Sequence, residues 1–119
     1  MRLKRLQVYG YKSFASRCVF EFGDGITAIV GPNGSGKSNI ADAVRWVLGE
    51  QSYRLLRAHA TEDMIFAGTS SRSRLGMAEV ILTFDNGDGW LPIEYSEVTV
   101  GRRAYRSGDV VRNDPLGLT

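Results

Sequence analysis

Apolar residues along this chain recur at every second position, then at every third or fourth, then at every second again. Arg2 to Tyr9 alternates loosely and stops at Gly10, predicting a first strand; Arg17 to Phe22 predicts a second, with Tyr11-Lys12-Ser13-Phe14 between them. Gly23-Asp24-Gly25 is a turn signal, and Ile26 to Val30 reads as a short buried strand. The period then lengthens. Ile40, Val44, Val47 and Leu48 fall at i, i+4, i+7 and i+8, predicting a helix over about Lys37 to Leu48 that Gly49 stops.

From Gly49 to Arg74 periodicity is weak, apart from a short helical turn near Glu62 to Phe66, and long irregular stretches of this kind are the first place to seek ligand contacts. Alternation returns from Ala78 to Phe84, with Val80, Leu82 and Phe84 opposing Glu79, Ile81 and Thr83. Asn86-Gly87-Asp88-Gly89 turns the chain, and Leu91 to Tyr95 and Glu97 to Arg103 predict two further strands of an antiparallel meander. The ordered lobe is expected to span 1–109, with 110–119 a frayed tail or truncation end, since Pro115 and Gly117 close it without a partner strand.

Between the buried strand and the helix, Gly31-Pro32-Asn33-Gly34-Ser35-Gly36-Lys37-Ser38 carries the spacing G-x-x-x-x-G-K-S. Glycines at these positions let the backbone turn tightly and aim several N–H groups at one anion. Lys37 reaches the β- and γ-phosphates in such a loop, the Ser38 hydroxyl serves Mg²⁺, and the helix N-terminus adds its unpaired N–H groups and partial positive charge. The expected fold is therefore α/β of the phosphate-loop NTPase type: a mixed sheet holding the strand, loop and helix, plus the antiparallel meander.

The 119 residues, 43% hydrophobic and 24% charged, suit one domain of ordinary size. No apolar run approaches the ~20 residues of a membrane span, and the N-terminus alternates instead of forming a signal region, so a cytoplasmic location is expected. Cys18 and His59 are the only residues of their kinds, which excludes an internal disulfide and a Cys/His zinc cluster. Cys18 alternates with Phe20 and Phe22 and reads as a small buried thiol. A net charge of +2 does not by itself indicate nucleic acid. Local basic groups matter more: Arg2, Lys4 and Arg5; Arg54 and Arg57; Arg72 and Arg74; Arg102, Arg103 and Arg106. Most such clusters are solvated faces.

Gly10-Tyr11-Lys12-Ser13-Phe14, the loop from Val30 to Asn39, and Ala43-Val44-Arg45-Trp46-Val47-Leu48-Gly49-Glu50-Gln51-Ser52 together resemble the N-terminal head segment of SMC (structural maintenance of chromosomes) ATPases. Leu56-Arg57, Glu62 to Gly68, Ala78-Glu79-Val80, Glu97 to Val100, Arg102-Arg103 and Tyr105 to Gly108 follow in the family's order. The resemblance implies an ABC-type ATPase head split in sequence by a long coiled coil. It implies ATP and Mg²⁺ as cofactors. The partners it implies are the C-terminal half of the same head, a second head in a homodimer or heterodimer, a kleisin-type subunit and double-stranded DNA bound without sequence preference. The function it implies is chromosome condensation and segregation.

By the same resemblance, nucleotide contact falls to Gly31, Pro32, Asn33, Gly34, Ser35, Gly36, Lys37, Ser38 and Asn39, with Ser38 on the metal. Arg57 corresponds to the loop arginine linked to DNA-stimulated hydrolysis. Lys12 lies in the segment that runs beside the nucleotide, and Asp63-Met64 in the region lining the base; a solvated lysine and a core methionine are the competing readings. His59 departs from the small residue expected there and has no catalytic role. Nothing here resembles a Q-loop glutamine, a signature motif or an apolar run ending in acidic residues. Positioning the attacking water needs more than one lysine and one Mg²⁺ ligand, so the isolated chain is expected to lack appreciable ATPase activity. Two alternatives remain: a coiled-coil repair or recombination ATPase of the RecN or RecF kind, which Arg45 to Gln51 fits less well, and a truncated assembly module without activity of its own.

Overall fold

A computed structural model describes residues 2–23, 35–49 and 61–113, with the backbone alone for 35–38, 61, 62 and 113. Its five strands are β1 (Arg2–Tyr9), β2 (Cys18–Glu21), β3 (Met77–Asp85), β4 (Glu97–Tyr105) and β5 (Val110–Asn113). They form one antiparallel sheet in the order β2-β1-β3-β4-β5. The predicted strand over Ile26 to Val30, on which a mixed sheet depends, lies outside the described residues.

Alternation decides which face is buried. Registers pairing Leu6 with Leu82, Leu82 with Val100, and Val8 with Val80 put these side chains, with Ala78 and Ala104, on one face. On that face packs α1 (Ser35–Val47), which contributes Ile40, Ala43, Trp46 and Val47 to the core. Tyr11, Met64 and Ile65 complete the cluster, and the Tyr11 ring stacks on Trp46 with centroids 5.5 Å apart. Truncating a side chain the size of Trp46 in such a core costs on the order of 3–5 kcal/mol.

The helix starts two residues before the predicted position and presents a rotated face. Asn39, Ile40, Asp42, Ala43, Trp46 and Val47 are buried, while Leu48, expected on the apolar stripe, follows the last turn and is 47% exposed. Leu48 N–H still donates to Val44 O at 3.0 Å, and Gly49, at φ 114°, ends the helix as its composition suggests. Two arginines bind that end. Arg102 donates to Trp46 O at 2.8 Å, with its guanidinium 5.4 Å from the Trp46 ring centroid, and Arg112 donates to Val47 O at 3.4 Å. Cations there complement the negative end of the helix dipole. Burial, and then the like charge of Arg112, lower the Arg102 pKa from its ordinary value.

Three expectations are corrected. Leu91 to Tyr95 is not a strand: Ile93 N–H donates to Leu91 O across Pro92 at 2.8 Å, and the Asn86 side chain bonds Leu91 N–H, Leu91 O and Tyr95 O. Proline lacks the ladder donor, and Asn86 takes the backbone groups a neighbouring strand would need. Val110–Asn113, assigned to the frayed end, pairs with β4 from Gly101 to Ala104 as β5; residues 114–119 lie outside the described residues. Cys18 is half-buried on the short edge strand β2, with its thiol 3.5 Å from Ser16 O.

Candidate functional site

Residues 10–14 leave β1 and run between the 3-10 turn Thr61–Met64 and α1. Gly10 makes the exit possible: its φ is 66°, and a Cβ there would lie 2.4 Å from Met77 O. Phe66 N–H donates to Gly10 O at 2.7 Å, and Lys12 N–H donates to Met64 O at 2.8 Å. Lys12 follows at φ 51°, a left-handed conformation costing a non-glycine residue on the order of 1 kcal/mol, which the surroundings must hold in place.

The segment lies along α1. Asn39 Nδ2 donates to Ser13 Oγ at 2.9 Å, and Lys12 Nζ donates to Asp42 Oδ2 at 2.6 Å. The Lys12 side chain is 10% exposed and that of Asp42 2%, so the pair is withdrawn from water. Arg45, one turn on, reaches the other Asp42 oxygen at 3.5 Å from the surface. Lys12 is therefore not a solvated lysine. Met64 is a core side chain, 1% exposed, whose carbonyl supports Lys12; Asp63 beside it is at the surface.

Gly36, Lys37 and Ser38 occupy the first turn of α1, where backbone N–H groups have no intrahelical acceptor. No carboxylate sits in that turn, and Asp42, the acid further along the helix, is paired with Lys12. This donor set, an amide-lined helix start with a lysine and a hydroxyl in sequence, fits a Mg²⁺-bound phosphate chain. Gly31, Pro32, Asn33 and Gly34, together with Arg57 and His59, lie outside the described residues.

The opposite face of the sheet carries a concavity of about 440 Å³ above Gly101, bordered by Gln7, Glu79, Ile81, Arg103 and Val111. Glu79 is buried there beneath Arg17, whose guanidinium donates at 2.9 Å, and Arg103, which bonds its other oxygen. Burial opposes ionisation of Glu79, but the two arginine hydrogen bonds outweigh it and hold the carboxyl below its usual range. Of the sequence's basic clusters, that at 102–106 serves the fold: Arg106 donates to Leu75 O and Phe66 O at 2.6 and 2.9 Å, clamping the stretch before β3. Arg72 and Arg74 remain exposed, Arg72 reaching Ala15 O at 3.4 Å.

Sequence reasoning passed over Asp42, Ser13 and Glu79. Asp42 had a signal: with Asn39 and Trp46 it falls at i, i+3, i+7, so an acid shares the stripe of a large aromatic.

A family profile described as RecF/RecN/SMC N terminal domain matches residues 2–114. The chain is 60% identical over 99% of its length to the chromosome partition protein Smc of Bacillus subtilis (strain 168). It spans about a tenth of that relative's length. Among solved structures, one described as "Structural biochemistry of ATP-driven dimerization and DNA stimulated activation of SMC ATPases" superposes with a TM-score of 0.88 at 39% identity, covering 95% of this chain and 69% of the other. Another, "Crystal structure of the SmcHead bound to the C-winged helix domain of ScpA", gives 0.89 at 41% identity, covering 95% of this chain and 35% of the other. The loop spacing, the antiparallel sheet with its helix and these similarities agree, and the chain belongs to the RecF/RecN/SMC N-terminal domain family as an N-terminal segment of an SMC head.

Proposed function

We propose that this chain is the ATP- and Mg²⁺-binding lobe of an Smc head, supplying the phosphate cradle of an ABC-type ATPase that engages DNA as a dimer and serves chromosome segregation and condensation. The observation carrying this reading is that α1 opens with Gly36, Lys37 and Ser38 in its first turn while Lys12 and Asn39 are fixed along the next. Residues 31–39 hold the phosphates, Lys37 against the β- and γ-groups and Ser38 on Mg²⁺. Lys12 adds positive charge from the side. The turn carrying Asp63 and Met64 borders the base, with Met64 buttressing it from the core.

Bound Mg-ATP supplies a γ-phosphoryl group that passes to water, leaving ADP and phosphate. This chain's residues bind and orient that group; the groups that place the water come from beyond these 119 residues. The complementary C-terminal half of the head, a second head and a kleisin-type subunit complete the assembly, as a relative's head bound to the ScpA winged helix illustrates. Arg57, Arg72 and Arg74 face the DNA backbone, Arg57 coupling it to hydrolysis; contacts of that kind are sequence-independent and weaken steeply with salt. The cytoplasm, at the nucleoid of a bacterium, is the matching location.

Titrating ATP into the chain with and without a separately expressed C-terminal head half tests this. Lys37→Ala removes a charge-assisted phosphate contact worth about 1.5–3 kcal/mol and lowers affinity by about ten- to a hundredfold. Unchanged affinity in the reassembled head refutes the cradle.

A further inference from the structure

Lys12 is surrounded by more structure than a loop lysine needs. Among the described residues it is the one non-glycine with a positive φ, its amide is tied to Met64 O, and its ammonium lies 2.6 Å from Asp42 and 5.8 Å from the Tyr11 ring centroid. Asp42 sits four residues beyond Ser38, so its Cα is about 6 Å further along the axis, and helical side chains lean back toward the N-terminus. The carboxylate therefore holds the ammonium within about one turn of Ser38, a residue of the first turn of α1.

Fastening the 10–14 segment to α1 does not require this acid. The Asn39–Ser13 hydrogen bond and the Tyr11–Trp46 stack already join them, and an apolar residue at position 42 would avoid dehydrating a charge beside the core. What a carboxylate adds is direction. We infer that Asp42 is a positioning residue for Lys12, fixing the lysine's charge at the triphosphate end of α1 so that it acts on bound ATP. This inference rests on the proposed nucleotide site.

The test measures ATP affinity in a full-length Smc carrying this chain as its N-terminal segment, with Asp42→Asn, Lys12→Met and the two combined. Each single change is expected to weaken ATP binding by about three- to tenfold, and the double variant to bind no more weakly than Lys12→Met alone. Asp42→Glu keeps the ion pair one methylene displaced and is expected to fall between wild type and Asp42→Asn; it also serves if Asp42→Asn folds poorly. Should Asp42→Asn cost the same factor in the Lys12→Met background, or should affinity losses merely track melting temperature, the positioning role is overturned. If Lys12→Met leaves affinity intact while Lys37→Ala does not, the Lys12 assignment fails and the inference with it. If neither lysine matters, the nucleotide site itself is wrong.

Discussion

Replacing Glu79 by glutamine tests how the loop bearing Lys12 is anchored, because Arg17, where that loop returns to the sheet, is tied to β3 through this carboxylate. The Glu79 side chain is 8% exposed, and its partners Arg17 and Arg103 are 45% and 53% exposed. Breaking a fully buried ion pair costs about 3–5 kcal/mol, but two half-exposed guanidinium groups rehydrate when released, which reduces the expected loss to about 1–3 kcal/mol. The pH dependence follows from the direction of the shift. Burial raises the Glu79 pKa, yet the hydrogen bonds from Arg103 and Arg17 carry it below the ordinary 4.5 in the folded state. Its stabilisation is therefore fully present above that value and is lost as pH falls through the lower, folded value. Urea unfolding of the head, reassembled from this chain and the C-terminal half, measures the gap between wild type and Glu79→Gln at a series of pH values. The gap should be constant from about pH 8 to pH 5 and shrink at more acid pH. A gap that stays the same down to about pH 3, or none at neutral pH, refutes the anchoring role.

Gly10→Ala should destabilise the reassembled head by at least about 2 kcal/mol in the same assay, since a Cβ at φ 66° meets Met77 O at 2.4 Å; unchanged stability would show that the backbone relaxes there freely. Ser38→Ala should weaken ATP binding chiefly when Mg²⁺ is present, and equal losses with and without the metal would argue against ligation. In the full-length protein Arg57→Ala should reduce DNA-stimulated hydrolysis more than basal hydrolysis, and an equal reduction of both would remove its special role.

What could be read from the sequence was whatever a local period or turn signal carries. The alternation at 2–9 and 78–84, the helix after Lys37 and the Asn86 to Gly89 turn all appear in the structure, because each is signalled by adjacent residues, although the buried face of the helix is rotated from the one its apolar residues predict. Leu91 to Tyr95 misled because strand-forming side chains there are overruled by Pro92 and by one asparagine side chain five residues earlier. Val110–Asn113 was lost for the opposite reason: its pairing depends on β4, which periodicity over four residues does not reveal. Arg102 looked like surface charge, yet alternation places it beside Val100 and Ala104 on the inner face, where the carbonyl end of α1 accommodates a cation. The Lys12–Asp42 pair joins residues 30 apart and needs the chain folded to be seen. The G-x-x-x-x-G-K-S spacing from Gly31 to Ser38 can be read as a phosphate-loop signature without the fold, because in such motifs the ligand's geometry sets the spacing.

A structure of the assembled head with a nonhydrolysable ATP analogue and Mg²⁺ bears most directly on the central claim. The amides from Gly34 to Ser38 should converge on the β-phosphate, with Lys37 Nζ bridging to the γ-phosphate and Ser38 Oγ on the metal. A triphosphate bound elsewhere, or a loop filled by protein atoms in the complete assembly, would contradict it.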